Sequence, residues 1–249
     1  MMSNDISLHH WYNAYLNALQ MMELQGYTAR NEDEDVLTLE EFEDTLFARL
    51  KGQSSFDDIT LEFIKPLPQR TGLDSELGLV IFADAKIDKK FMQSLTSFAL
   101  AKAEDNKIVN LILISPGEVS TVDGKKLFLE CSPTKVPRNE INPNIKRFWA
   151  RHFSLEEIQS NPISHCLQPK MRLITNEEEK ERLRLELVKD LQGEERNKTL
   201  FQLLPRDPMT NQVPKWYGAY VGDLFEITRR IGGYARYYRI VVSVEFSED

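Results

Sequence analysis

Two nearly continuous apolar runs in the first half of the chain constrain its fold more than any other feature. They cover residues 77–83 and 108–114, with Asn110 as the one polar residue, and runs of this length are typical of strands that are covered on both faces of a sheet. Between them, Phe91, Leu95 and Ala99 recur at helical spacing. A strand, a helix and a second strand in this order predict a crossover between parallel strands. The N-terminal part of the chain is therefore predicted to be α/β.

Three further elements are predicted ahead of the first apolar run. Residues 8–22 place their aromatic and aliphatic side chains on one helical stripe, and Gly26 ends that helix. Thr38 precedes Glu41 with the spacing of a capping box, which begins a second helix packed against the first. From residue 59 to residue 63 apolar and polar side chains alternate, which predicts a half-buried strand.

A domain boundary is predicted near residue 162. Before it, residues 127–129 suggest a short strand, and the prolines between residues 133 and 143 predict a loop. Ser154 and Glu157 then repeat the capping-box spacing shortly before Pro162 breaks the pattern. We expect an α/β domain over residues 1–162 and a small α+β domain over residues 163–249.

The second domain is predicted to contain one charged helix and a small β module. The helix begins at Thr175 and Glu178, ends before Gly193, and buries its apolar side chains, which are Leu183, Leu187, Val188 and Leu191. The clearest strands cover residues 224–228 and 237–242, joined across Gly232 and Gly233.

Composition and charge exclude several classes of protein. The chain has a net charge of −8, which argues against a protein whose main role is to hold nucleic acid, because phosphate binding needs clustered Lys and Arg. Residues 163–242 nevertheless carry more Lys and Arg than Asp and Glu. No apolar run approaches the roughly 20 residues of a membrane-spanning helix, so we expect a soluble, intracellular protein that does not use a membrane.

Catalytic and metal-binding patterns are missing from the sequence. The residues that could ligate a metal fall in no ligand spacing; they are His9, His10, His152, His165, Cys131 and Cys166. No phosphate-binding or nucleophile motif is present. We therefore expect no catalytic residue, no metal, no cofactor and no small-molecule substrate.

One enzymatic alternative starts from Asp58, Glu62 and Lys65, which superficially suggest a magnesium-dependent nuclease. That chemistry needs the glutamate and the lysine on the same face of a strand, two residues apart. Here they are three residues apart, so Glu62 and Lys65 point to opposite faces. The spacing therefore argues against a nuclease.

A series of residues in the second domain follows the order of a known family. They are His165, Leu167, Pro169, Thr175, Glu177, Glu178, Asp207, Pro208, Tyr217, Gly218, Gly222, Asp223, Arg229, Gly233, Tyr238 and Arg239. In this order the segment resembles the C-terminal domain of the fifth subunit shared by the eukaryotic nuclear RNA polymerases, a domain that archaeal RNA polymerases possess on its own. The resemblance implies a turn at Asp207 and Pro208. The N-terminal domain resembles the jaw domain of the eukaryotic protein more faintly, through its first helix, the Gly26–Tyr27 break and residues 39–42.

The resemblance implies a non-catalytic subunit of a DNA-directed RNA polymerase in the nucleus, or in the nucleolus if the chain serves RNA polymerase I alone. The C-terminal domain would assemble on the largest subunit, and the jaw would lie beside downstream duplex DNA. Catalysis would reside in other subunits. The alternative from another class is a free-standing protein-interaction adaptor that reuses the module. Loss of the large polymerase subunits from a purification would favour the adaptor.

The resemblance also implies candidate contact residues. Those for the largest subunit are Asp207, Pro208, Trp216, Tyr217, Arg229, Tyr238 and Arg239. Aromatic residues and arginine often dominate interface energies, but Trp216 and Tyr217 could equally fill the core of a small domain. Arg229, Arg230, Arg236 and Arg239 could form a basic patch or simply protect a hairpin edge with charge.

The candidates for proximity to downstream DNA lie in the jaw. Ser120 aligns with a proline of the family's DNA-side loop, and Lys125 and Lys126 follow Gly124 in the same region. Two lysines at a turn are also ordinary solvent-exposed residues.

Overall fold

The structure, a computed structural model, describes residues 7–30, 36–52, 55–66, 75–84, 87–102, 108–116, 148–164, 168–208, 211–230 and 234–243. Their contacts divide them into two compact units, one that ends at Asn161 and one that continues from Pro162. The first unit contains a five-stranded sheet and the second a four-stranded sheet. The mixed α/β character is therefore confirmed. That the units are domains divided at residue 162 stays a prediction.

The sheet of the first unit has the order β1-β2-β3-β4-β5. Its strands are β1 (Thr28–Ala29), β2 (Thr60–Pro66), β3 (Ser75–Phe82), β4 (Ile108–Ser115) and β5 (Phe148–Ser154). The first two pairings are antiparallel and the last two are parallel. Helix α3 (Lys89–Lys102) connects β3 to β4, so the predicted crossover is confirmed.

Among the described residues of the first unit, the other α-helices are α1 (Leu8–Leu24), α2, which runs as three consecutive segments (Leu39–Phe42, Glu43–Phe47 and Ala48–Lys51), and α4 (Leu155–Ile158). Both predicted capping boxes form, at the start of α2 and of α4. Helix α2 packs on α1, because the Phe42 ring lies 5.4 Å from the ring of Tyr12 and 5.3 Å from that of Tyr15. The predicted strand at residues 59–63 begins one residue later, since Ile59 ends a short 3₁₀ helix (Phe56–Ile59).

The second unit contains a sheet of order β6-β8-β9-β7. Its elements are β6 (Lys170–Ile174), α5 (Glu177–Leu187), a 3₁₀ helix (Gly193–Asn197), α6 (Leu200–Leu203), β7 (Arg206–Pro208), α7 (Gln212–Trp216), β8 (Leu224–Arg230) and β9 (Tyr234–Val242). Strands β6, β8 and β9 pair antiparallel, whereas β7 runs parallel to β9.

Both faces of this second sheet carry apolar clusters. Ile174, Leu224 and Ile240 pack together with Leu183 of α5. Phe225, Ile227 and Val241 form the second cluster, with Ala219, and Tyr217 packs against it. Because consecutive strand residues alternate between the faces, β8 and β9 contribute to both clusters.

Two predictions for the second unit differ from the structure. Leu187, expected in the core, ends α5 with its side chain 38% exposed, whereas Lys180 on the same helix is buried. Asp207 and Pro208, expected at a turn, lie in strand β7. Their pairing partners Val241 and Val242 are distant in sequence, so local turn signals could not show this strand.

Several sequence predictions lie outside the described residues. These are the strand at 127–129, the loop at 133–143, Ser120, Lys125, Lys126, Cys131, His165, Cys166, Leu167, Gly232 and Gly233. Within the part of the chain that is described, no helix has both the length and the apolar character needed to cross a bilayer.

Candidate partner-binding surface

Asp207 and Pro208 shape the entry into α7. The side chain of Asp207 is buried, and its Oδ1 accepts a hydrogen bond from Nδ2 of Asn211 at 2.7 Å. The backbone N–H of Asn211 also donates to the Pro208 carbonyl at 2.9 Å. In this structure the pair fixes the connection between β7 and α7, and Asp207 offers little surface to a partner.

Trp216 and Tyr217 both pack inside the second unit. Trp216 has no exposed surface. The Tyr217 ring meets that of Phe225 edge-on at 5.2 Å, and its hydroxyl donates to the Met171 carbonyl at 3.1 Å. Burial raises the pKa of the Tyr217 hydroxyl. Of the two interpretations left open by the sequence, the positions of these residues favour the core.

The Gly222–Asp223 turn is stabilised by buried charge. Gly222 has φ +86°, a conformation that glycine adopts without steric cost. Asp223 is fully buried; its Oδ2 accepts from the Tyr220 backbone N–H at 2.8 Å, and its Oδ1 lies 3.2 Å from Nζ of Lys180. Sequence reasoning missed this ion pair. The available signal was Lys180 itself, three residues before Leu183 on the apolar side of α5.

Arg229, Tyr238 and Arg239 reach the surface to different degrees. Arg229 and Arg239 are exposed, and Tyr238 is half-buried against the first apolar cluster. The Arg229 guanidinium lies 5.9 Å from the centre of the Tyr237 ring, in cation–π contact. Alternation places Tyr237 with Arg239 on one face of β9.

Arg236 lies on the opposite face of β9, as its spacing from Arg239 predicts. It pairs across the strands with Thr228, and its Nη1 is 3.5 Å from Oε1 of Glu226. Arg172 on the same face is more fully engaged, because it donates to both Glu226 and Glu179. The hydrogen bonds to Glu179 and then Glu226 raise the pKa of Arg172, and Arg172 in turn lowers the pKa of Glu179.

A recess of about 350 Å³ opens beside strand β9. Its lining combines apolar Leu187, Leu204 and Tyr238 with Arg229, Arg236 and Arg239. Leu187 and the nearby Tyr237 are among the most exposed large apolar side chains of the second unit. Exposed aromatic and arginine side chains around a recess have the composition of protein interfaces. We refer to this region as the β9 recess.

The residues of the nuclease alternative do not form a common site. Glu62 contacts Arg30 at 2.5 Å and Lys102 at 2.9 Å, whereas Lys65 donates to the Gln25 carbonyl at 2.6 Å. Burial works to raise the pKa of Glu62, but hydrogen bonds from Lys102 and Arg30 outweigh it and lower the pKa. Among the described residues, no three His, Cys, Asp or Glu side chains cluster as metal ligands.

A comparison with known protein families finds a match over most of the second unit. Residues 160–241 match the model of the family described as RNA polymerase Rpb5, C-terminal domain. The match contains strands β6 to β8 and nearly all of β9, and it covers about a third of the chain. No curated protein matches the chain.

Proposed function

Since residues 160–241 make this chain a member of the Rpb5-like family, we propose that it is a non-catalytic subunit of a DNA-directed RNA polymerase. The family match is the observation that carries the proposal. Rpb5 proteins are structural polymerase subunits, so catalysis would reside in other subunits of the complex.

The second unit is proposed to attach the chain to the largest polymerase subunit. Of the residues that the sequence nominated, Arg229 and Arg239 are exposed and Tyr238 is half-buried beside them. They lie around one recess together with exposed Tyr237. Asp207, Pro208, Trp216 and Tyr217 would act indirectly, by holding β7, α7 and β8 in place.

The first unit is proposed to form a jaw beside downstream duplex DNA. Its α/β fold is compatible with that role. We infer that DNA is a neighbour of the jaw rather than its ligand, because the net charge of the chain is −8 and phosphate binding needs clustered basic residues. Ser120, Lys125 and Lys126 remain the proposed positions nearest to DNA. The complex would reside in the nucleus, and in the nucleolus if it is RNA polymerase I.

Affinity purification of the tagged full chain from its native cells, followed by mass spectrometry, tests this proposal. We expect the largest polymerase subunit and several other subunits in stoichiometric amounts. Absence of every large polymerase subunit would contradict the proposal and favour the free-standing adaptor. The identity of the largest subunit recovered would also show which nuclear polymerase the chain serves.

A separate experiment tests the proposed roles of the two units, attachment by the second and a position beside DNA for the first. A chain that ends before His165 should not enter the polymerase, because it lacks the attachment unit. A full-length chain with Lys125→Ala and Lys126→Ala should enter normally, because these lysines are assigned to the DNA side. The reverse outcome, measured by co-purification of the largest subunit, would overturn the assignment.

A further inference from the structure

Strand β9 has one edge that is only partly occupied. On that edge β7 pairs with residues Ile240–Val242, and the Ile240 N–H donates to the carbonyl of Pro205 at 3.0 Å. The chain before Pro205 turns away into α6. The other edge of β9 pairs with β8 along residues Tyr234–Ile240.

The direction of the backbone groups follows from these bonds. Val241 donates toward the β8 side, to the Asp223 carbonyl at 2.9 Å, whereas Ile240 donates away from it. Because successive residues of a strand point their N–H and C=O groups to opposite edges, Arg236 and Tyr238 point theirs away from β8. Within the described part of the chain, no hydrogen-bond partner is found for these outward backbone groups.

Unpaired strand edges are templates for the addition of another strand. The β9 recess surrounds this open edge and takes side chains from both faces of the sheet, with Arg236 and Tyr238 on one and Tyr237 and Arg239 on the other. The backbone of an added strand could therefore hydrogen-bond to the open edge of β9. Its side chains would meet apolar and cationic groups on both faces of the sheet.

We propose that the open edge of β9 binds an extended acidic segment of a partner polypeptide by strand addition. The inference rests on the proposed function, in which the partner is the largest polymerase subunit. Acidic side chains are specified because Arg229, Arg236 and Arg239 line the recess and, among the described residues, no Asp or Glu does. Apolar side chains between them would contact Leu187 and Tyr238.

A polypeptide fits this surface better than a nucleic acid does. A phosphate backbone is bound by basic side chains that share one surface, but Arg236 lies on the opposite face of β9 from Arg239. A strand presents alternate side chains to the two faces, so it can place carboxylates beside both arginines. The outward N–H and C=O groups of Arg236 and Tyr238 could in addition form hydrogen bonds with the backbone of such a strand.

The probe for this surface is a fluorescent, acetylated peptide that repeats two glutamates and two valines, so that each face of the strand carries both. We expect the full-length protein to bind it in a salt-sensitive manner. Arg236→Gln removes the charge alone, whereas Arg236→Pro also removes the outward N–H but no bond to β8. Arg236→Pro should therefore weaken binding about tenfold more than Arg236→Gln.

A second measurement uses the unmodified protein and does not depend on the folding of a variant. Saturating peptide should slow amide hydrogen exchange at Arg236 and Tyr238 about tenfold or more, because their N–H groups would become bonded. The amides of Tyr237 and Arg239 already pair with β8 and should change less. Duplex DNA is the comparison ligand.

Three results would overturn the inference. The first is that the peptide does not bind. The second is that Arg236→Gln and Arg236→Pro weaken binding equally and the amides of Arg236 and Tyr238 are not protected from exchange. The third is that duplex DNA binds and the peptide does not.

Failure of the proposed function would give a different result. If tagged wild-type and Arg236→Pro chains both recover the largest subunit equally, the edge assignment is wrong and the subunit proposal stands. If wild type recovers no polymerase subunit, the subunit proposal itself fails.

Discussion

The two sheets of this protein use their polar side chains differently. In the first sheet, buried polar groups satisfy one another: Tyr27 donates to Glu76 at 2.5 Å, Asn110 donates to Tyr27 at 2.9 Å, and Arg151 donates to Asn110 at 3.0 Å. In the second sheet, most of the arginines of β8 and β9 lie at the surface around an open edge. The polar groups of the first sheet therefore hold its own fold, whereas several of those in the second sheet are exposed to solvent.

The second unit also contains buried polar groups, and removal of the buried Asp223–Lys180 pair should have the largest effect. Asp223→Ala leaves Lys180 buried without this carboxylate and the Tyr220 N–H without its acceptor. We expect the second unit to lose about 3–5 kcal/mol of unfolding free energy, with little change in the first unit. Native-state hydrogen exchange, read separately for peptides of each unit, measures this.

Glu177→Ala is the matched control, because Glu177 is the exposed partner of the same lysine, at 2.9 Å. Its loss should cost within about 1 kcal/mol. An equal loss from both variants, or a loss from Asp223→Ala that spreads over both units, would break the comparison between two separately stabilised sheets.

A smaller effect is expected from Gly78→Ala in the first sheet. A Cβ at this position would collide with Cε of Met22 and would lie 3.0 Å from a ring carbon of Tyr27, so the Met22 and Tyr27 side chains must shift. Overpacking of this kind costs about 1–3 kcal/mol, and hydrogen exchange should show it in the first unit. Adding Met22→Leu shortens the obstructing side chain and should recover part of the loss. Wild-type stability of Gly78→Ala would contradict this close packing.

The smallest effect concerns Tyr217 and alkaline pH. Because burial raises its pKa, the protonated hydroxyl stabilises the second unit below about pH 10, the ordinary tyrosine value, and this contribution is lost as the pH rises through the folded-state pKa. Tyr217→Phe should remove that pH dependence and cost about 1 kcal/mol at neutral pH, since the bond to Met171 is lost. Urea unfolding of both proteins across this pH range, followed by NMR signals of the second unit, measures both effects.

The sequence predicted the elements whose signal is local. Helical periodicity located α1 and α3, and residue spacing located the caps at Thr38 and Ser154, because these patterns arise within a few neighbouring residues. The apolar runs predicted β3 and β4 because those strands are covered on both faces. In the second unit the order of the family's residues indicated the domain, although two of those residues, Asp207 and Asp223, are buried inside it.

What the sequence could not predict depends on contacts between distant residues. Strand β7 forms through its pairing with β9, which is distant in sequence. Its own residues carry no strand pattern, and the pair Asp207–Pro208 indicates a turn instead. Helical spacing predicts that Leu187 lies on the apolar side of α5. It does not show that the last turn of the helix extends beyond the sheet, where this side chain is exposed. The open edge of β9 is likewise a property of strand order, which no local pattern encodes.

Site-specific cross-linking tests the central claim, that the second unit attaches the chain through the β9 recess, most directly. A photoreactive benzoyl-phenylalanine would replace Tyr237 in the recess or, as control, Leu185; both side chains are 52% exposed. Leu185 precedes Leu187 by two residues and so faces the opposite side of α5. The account predicts that the Tyr237 position cross-links to the largest polymerase subunit far more strongly than the Leu185 position. Preferential cross-linking from Leu185, or no polymerase subunit from either position, would contradict it.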